Sequence, residues 1–114
     1  MPDDSDFNKL VTYVGGSGGK LKEANGIYSL WNAPNTGATN ESGFTALPGG
    51  WRVGKSGIWT EGIFDQVGNG CRLWTKSNSF AGGAYFLDVW YSNADTNRAS
   101  QIQSYGSSIR CIKE

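Results

Sequence analysis

The 114-residue sequence has no histidine, three prolines, two cysteines and no surplus of either charge. Without histidine, the chain lacks the commonest general base at neutral pH and the commonest zinc ligand. Cys71 and Cys111 do not form a CxxC pair, and two thiols without histidine make a poor metal site. Ten Lys and Arg balance ten Asp and Glu. The cations are scattered, the densest run being Lys20-Leu21-Lys22, so the basic patch that a nucleic-acid partner requires is missing. No run of about 18 apolar residues occurs, which excludes a membrane-crossing helix in this stretch. The opening Met1-Pro2-Asp3-Asp4 carries neither the basic nor the apolar region of a signal peptide. The expectation is a protein made without one, or an excised piece with an added Met.

Glycine and aromatic residues are abundant, with seventeen Gly and an aromatic share of 13% that includes five Trp. That combination implies many turns and short strands, hence a loop-heavy, β-dominated fold. The length suits one domain with its own core. The two cysteines leave two readings open. A disulfide in an exported protein would close a loop of about 40 residues and contribute roughly 4 kcal/mol in the chain-entropy account; alternatively both are free, buried thiols.

Residues 4–14 read as the single good helix. Phe7, Leu10, Val11 and Val14 form one apolar stripe, Asp4 or Ser5 can cap it, and Gly15-Gly16 ends it. Gly15–Gly19 reads as a flexible link and Lys20–Glu23 as a short edge strand with its lysines turned to water. Ile27–Trp31 is apolar enough for a second short strand, and Asn32–Ser42 reads as a long polar loop. In the stretch Asn40–Arg52, Leu47-Pro48-Gly49-Gly50 is a strong turn signal, with Phe44, Leu47 and Trp51 as core residues that set the turn. Ile58-Trp59-Thr60 and Ile63-Phe64 are short glycine-flanked apolar segments. Cys71–Thr75 alternates as a strand, with Cys71, Leu73 and Thr75 against Arg72 and Trp74. Ala84–Tyr91 is the strongest strand, with Tyr85, Leu87, Val89 and Tyr91 on one face and Phe86, Asp88 and Trp90 on the other. Ser92–Asn97 has hairpin-turn chemistry. Asn93, Asp95 and Asn97 mimic the start of a calcium loop, but the downstream Gly and Glu are missing, so no metal is expected there. Arg98–Gln103 reads as a polar exposed strand, and Ser107–Ile112 closes the chain with Ile109 and Cys111 on one face. A Cys71–Cys111 pair would set those two strands side by side.

The order of these motifs resembles one family, the Fibrobacter succinogenes major paralogous domain of bacterial surface proteins. The core [N/D]-E-x-G-F-x-A-L-P-G-G-x-R is matched by Asn40–Arg52. An aromatic–Gly stretch ending W-S-S-T is matched by Trp74-Thr75-Lys76-Ser77, at half its positions. An aromatic strand with Asn/Tyr-rich turns is matched by Tyr85–Arg98, and a closing Y-G-F-S-V-R-C-V by Tyr105–Ile112, with Ser107 in place of Phe. Cys71 stands where members have a small or an aromatic residue. The W-R-L-P-T that members carry before the helix is reduced to Pro2, so the expected unit, residues 1–114 as a single domain, lacks the family's upstream strands. The resemblance implies an α+β, C-type-lectin-like fold with an N-terminal helix, a small twisted antiparallel sheet and long loops. It also implies a surface-exposed recognition or adhesion module without catalytic residues or cofactors. The same broad fold carries the variable binding proteins of diversity-generating retroelements, whose exposed Asn and Tyr lie near the C-terminus.

The expected function is therefore non-catalytic recognition of a protein or carbohydrate ligand, at the cell surface or on a phage particle. Exposed Trp and Tyr give contact area at little entropic cost. The candidate ligand-binding residues are Trp59, Trp90, Tyr91, Asn93, Asn97, Arg98, Gln101 and Tyr105, against the plainer reading that Trp59 and Trp90 are core. The Glu-Pro-Asn or Gln-Pro-Asp and Trp-Asn-Asp triplets of calcium-dependent sugar sites do not occur. Two competing readings are a cysteine-oxidising enzyme, which needs a thiolate beside Arg72 or Arg110, and an assembly subunit that self-associates through a sheet edge.

Overall fold

The computed structural model describes residues 1–54 and 62–113. Trp59 and the Ile58-Trp59-Thr60 segment lie outside them. The described chain is α+β: a helix α1 (Asp4–Tyr13), two 3-10 turns (Gly18–Lys20 and Gly26–Tyr28), and strands β1 (Trp51–Arg52), β2 (Phe64–Asp65), β3 (Gly70–Asn78), β4 (Gly83–Trp90) and β5 (Asn97–Ile102). β1 and β2 form a two-stranded antiparallel sheet, and β3-β4-β5 a three-stranded antiparallel one.

The helix forms where its apolar stripe requires. Phe7 and Val14 are buried, and Leu10 and Val11 pack against the core. The cap is one residue earlier than the sequence suggested. Asp3 Oδ1 accepts from the Asp6 amide at 2.8 Å, and Asp6 Oδ2 accepts from the Asp3 amide at 3.0 Å. This reciprocal box satisfies two free N–H groups, and the Asp6 amide holds the Asp3 carboxyl below its ordinary range. Gly15 and Gly16 follow with φ of 63° and 78° and end the helix.

Downstream, three expectations are corrected. Gly18 and Gly19 are not a flexible link but buried packing points. A Cβ on Gly18 would lie 2.1 Å from the Asp95 carbonyl oxygen, and one on Gly19 would lie 2.1 Å from that of Gly37. Lys20–Glu23 is not an edge strand with solvated lysines: Lys22 and Glu23 are buried, and the segment touches the chain's middle through a parallel bridge from Lys22 to Ala46. Ile27–Trp31 is not a strand either. It begins in a 3-10 turn with Ile27 and Tyr28 exposed, and only Trp31 enters the core. A hydrophobic run is a strand only if a partner edge is available, and here Glu23 organises the loop instead. Its carboxylate accepts from the Asn25 amide (3.1 Å), the Ser29 hydroxyl (2.8 Å) and the Leu30 amide (3.2 Å).

The Leu-Pro-Gly-Gly corner also packs differently from expectation. Ala46, Pro48 and Gly50 turn inward, while Leu47 is 48% exposed. Phe44 leans on the core and Trp51 is half-buried. The bridge at Ala46 fixes that alternation. Gly50 is required where it stands, with φ 64° and the Asp65 carbonyl oxygen 2.1 Å from where a Cβ would be.

The three-stranded sheet follows the sequence periodicity closely. Opposed residues share a face, and the register pairs Leu73 with Leu87, Cys71 with Val89 and Leu87 with Arg98. That face carries Cys71, Leu73, Leu87 and Val89 into the core cluster with Phe7, Val14, Leu21, Trp31 and Ala46. The other face carries Arg72, Trp74, Phe86, Asp88 and Trp90, extended onto β5 by Asn97, Ala99 and Gln101.

The Cys71–Cys111 pairing does not form; both thiols are free, Cys71 buried and Cys111 exposed. The closing segment does run beside β3, but in parallel, with Ser108 opposite Leu73. Continuing in that direction takes Cys111 toward the far end of β3, whereas Cys71 sits near its start. Cys111 instead borders a groove of about 310 Å³ between α1 and the chain end, with Phe7, Leu10, Phe44 and Arg110.

Candidate functional site: an aromatic sheet face

The sheet face away from the core cluster holds a continuous row of rings around one guanidinium. Arg72 lies 3.8 Å from the centroid of Trp51 and 4.1 Å from that of Phe86. Trp51 meets Trp90 edge-on at 5.5 Å and 77°, and Phe86 meets Trp74 edge-on at 6.3 Å and 69°. The row thus runs Trp90, Trp51, Arg72, Phe86, Trp74. Gly70 makes room for it: a Cβ there would stand 3.2 Å from Trp51 and 3.8 Å from Trp90.

Arg72 is locked. Its Nη2 and Nε donate to Asp88 Oδ2 at 3.1 and 3.4 Å, with side-chain exposures of 11% and 1% for the pair. A cation between two ring faces and beside a buried carboxylate has little left to offer a ligand. Its role is to hold the rings in fixed orientation. Phe86 and Asp88 are buried, while Trp51, Trp74 and Trp90 are half-buried and reach solvent along the row. Polar atoms border it on β5, where Asn97 is exposed and Gln101 half-buried.

The expected site residues divide between locations. Trp90, Asn97 and Gln101 share the aromatic face. Arg98 lies on the opposite face, where its guanidinium pairs with the Asp4 carboxylate and donates to Asn8 Oδ1 at 2.8 Å; it fastens α1 to β5. Tyr91 packs against the core, with its amide donating to the Asn69 carbonyl and its carbonyl accepting from Thr36. Asn93 is exposed at the hairpin tip, its Oδ1 accepting from the Asp95 amide at 2.9 Å. Tyr105 is half-buried beyond β5, where its amide donates to the Ile102 carbonyl. Trp51, Arg72, Trp74, Phe86 and Asp88 were not anticipated as a site. Their alternation was legible, but only the β3–β4 register sets Arg72 opposite Asp88 and Trp74 opposite Phe86.

Of the two thiols, Cys111 is exposed and Cys71 is buried. Burial, with a further push from the Asp88 carboxylate, raises the Cys71 thiol to about 12, so it stays protonated and is a poor nucleophile. Among the described residues, no group of three or more Cys, Asp or Glu side chains could hold a metal ion.

The model of the Fibrobacter succinogenes major domain matches residues 1–113. Neither the curated proteins nor the solved structures contain a match to this chain.

Proposed function

The chain belongs to the Fibrobacter succinogenes major domain family, and from that premise we propose that it is a non-catalytic recognition module. In this reading the fold is a C-type-lectin-like arrangement displayed outside the cell, at the cell surface or on a phage particle. Its ligand, a protein or a carbohydrate, lies along the aromatic face. The observation that carries the reading is the ring row itself. Three tryptophans reach solvent while a buried Arg72–Asp88 pair fixes their geometry. Pre-set rings cost little entropy on binding, and they present flat apolar surface to a sugar ring or to an apolar side chain, with Asn97 and Gln101 at hand for hydrogen bonds. Among the described residues, no helix is long and apolar enough to cross a membrane.

Glycan and protein arrays probed with the domain test this. The expected result is a binder whose affinity falls at least tenfold in Trp74→Ala and Trp90→Ala, with the near-ultraviolet circular dichroism of a folded protein retained. Arrays without a binder, or variants that bind as well as the parent, refute it. A second reading, an assembly subunit, is favoured by β5, which pairs only with β4 among the described strands. Light scattering separates the two, since a strict monomer argues against assembly.

A further inference from the structure

The most completely buried large side chain in the core is that of a lysine. Lys22 has 0% exposure, yet among the described residues no carboxylate forms an ion pair with it. Its ammonium donates to the carbonyl oxygens of Thr36 (2.8 Å), Trp90 (2.8 Å) and Asn93 (3.0 Å) and stands 5.5 Å from the centre of the Trp31 ring. Three oxygens take the three N–H donors of an ammonium, leaving none free. The oxygens come from three separate places: the long loop, the end of β4, and the β4–β5 hairpin. The long loop also touches the end of β4 directly, through the Thr36 amide on the Tyr91 carbonyl at 2.9 Å, and the 3-10 turn that precedes Lys22 holds the hairpin through the Gly18 amide on the Ala94 carbonyl at 2.7 Å.

We propose that Thr36, Trp90 and Asn93, with the Trp31 ring, form an internal cation-binding site for a primary ammonium group, which the chain fills with its own Lys22. Converging carbonyl oxygens create a region of negative potential, and the Trp31 face adds to it; together they offset part of the desolvation that burial imposes on the ammonium, which stays charged at neutral pH. The tethered ammonium therefore does for these loops what a bound ion does elsewhere. It also fixes the backbone at Trp90, the residue that ends the aromatic row. The inference concerns the architecture of the loops and holds whatever the ligand of the aromatic face.

The alternative is that Lys22 is held by the packing of its methylenes alone, and substitution separates the two. Lys22→Met keeps the apolar stem out to the ε position but supplies no donors, leaving three buried carbonyls without the ammonium. It should unfold at a clearly lower urea midpoint with unchanged slope. Lys22→Ala removes the three outer carbons and the nitrogen, a volume that propylammonium replaces. Refolding Lys22→Ala in n-propylammonium chloride should raise its midpoint in proportion to the logarithm of concentration, with no rise in the parent. Equal concentrations of n-propanol and of sodium chloride should do markedly less. If Lys22→Ala does not fold alone, recovery of native fluorescence only with propylammonium gives the same answer. A Lys22→Met protein as stable as the parent, or rescue by propanol equal to that by propylammonium, overturns the proposal.

Discussion

Replacing Arg72 with alanine is the most informative perturbation of the sheet. The change leaves Asp88, 1% exposed, as a buried carboxylate without its cation, and breaking such a pair from one side costs about 3–5 kcal/mol. Losing the guanidinium between Trp51 and Phe86 removes two cation–ring contacts, each worth about 1–2 kcal/mol when desolvated. These contributions overlap, so about 4 kcal/mol is the expected loss, a large part of the 5–15 kcal/mol typical of a whole domain. Urea unfolding followed by tryptophan fluorescence measures it, because Trp51 and Trp90 report on the same row. A double-mutant cycle with Asp88→Ala isolates the pair. The double variant should be less destabilised than the sum of the singles by about 2 kcal/mol or more. A loss below about 1 kcal/mol with additive singles, the behaviour of an exposed pair, would refute the claim that Arg72 is the locked centre of the row.

Thiol titration of the native protein should show Cys111 reacting at once and Cys71 only on unfolding, since one is exposed and the other buried; simultaneous reaction of both would contradict the packing. Gly18→Ala forces a Cβ within 2.1 Å of the Asp95 carbonyl and should cost about 2–3 kcal/mol as overpacking, read as a drop in melting temperature. At alkaline pH two groups act in opposite directions. Burial pulls the Lys22 ammonium from 10.5 to about 8. Between those values the unfolded chain binds the extra proton, and stability rises with pH. Cys71, raised from 9.0 to about 12, keeps its proton when folded and loses it when unfolded, so stability falls across that window. The stability gap between the parent and Lys22→Met should therefore shift in the parent's favour from pH 8 to about 10.5, whereas the gap to Cys71→Ala should shift against the parent above pH 9. Urea midpoints across that range check both signs. Arg98→Ala should loosen α1 from β5 at a cost of about 1 kcal/mol, as its pair with Asp4 is partly exposed, without altering the ring row.

Local patterns were enough for the elements that carry their own periodicity. The stripe Phe7, Leu10, Val11, Val14 dictates α1, and Gly15-Gly16 its end. The alternations from Cys71 and from Ala84 dictate β3 and β4, and the Asn/Asp-rich turn between them and β5 dictates the hairpin. The family core Asn40–Arg52 and the balanced charge were likewise legible without coordinates. Contacts between distant parts of the chain decided the rest. No local rule says that Lys22 abandons water, because its three oxygens lie 14, 68 and 71 residues away. No local rule sets Trp51 over Arg72, or turns Arg98 to the helix and Asn97 to the rings. The cysteines failed to meet for the same reason: the closing segment runs parallel to β3, and register, which depends on both partners at once, is not written in either.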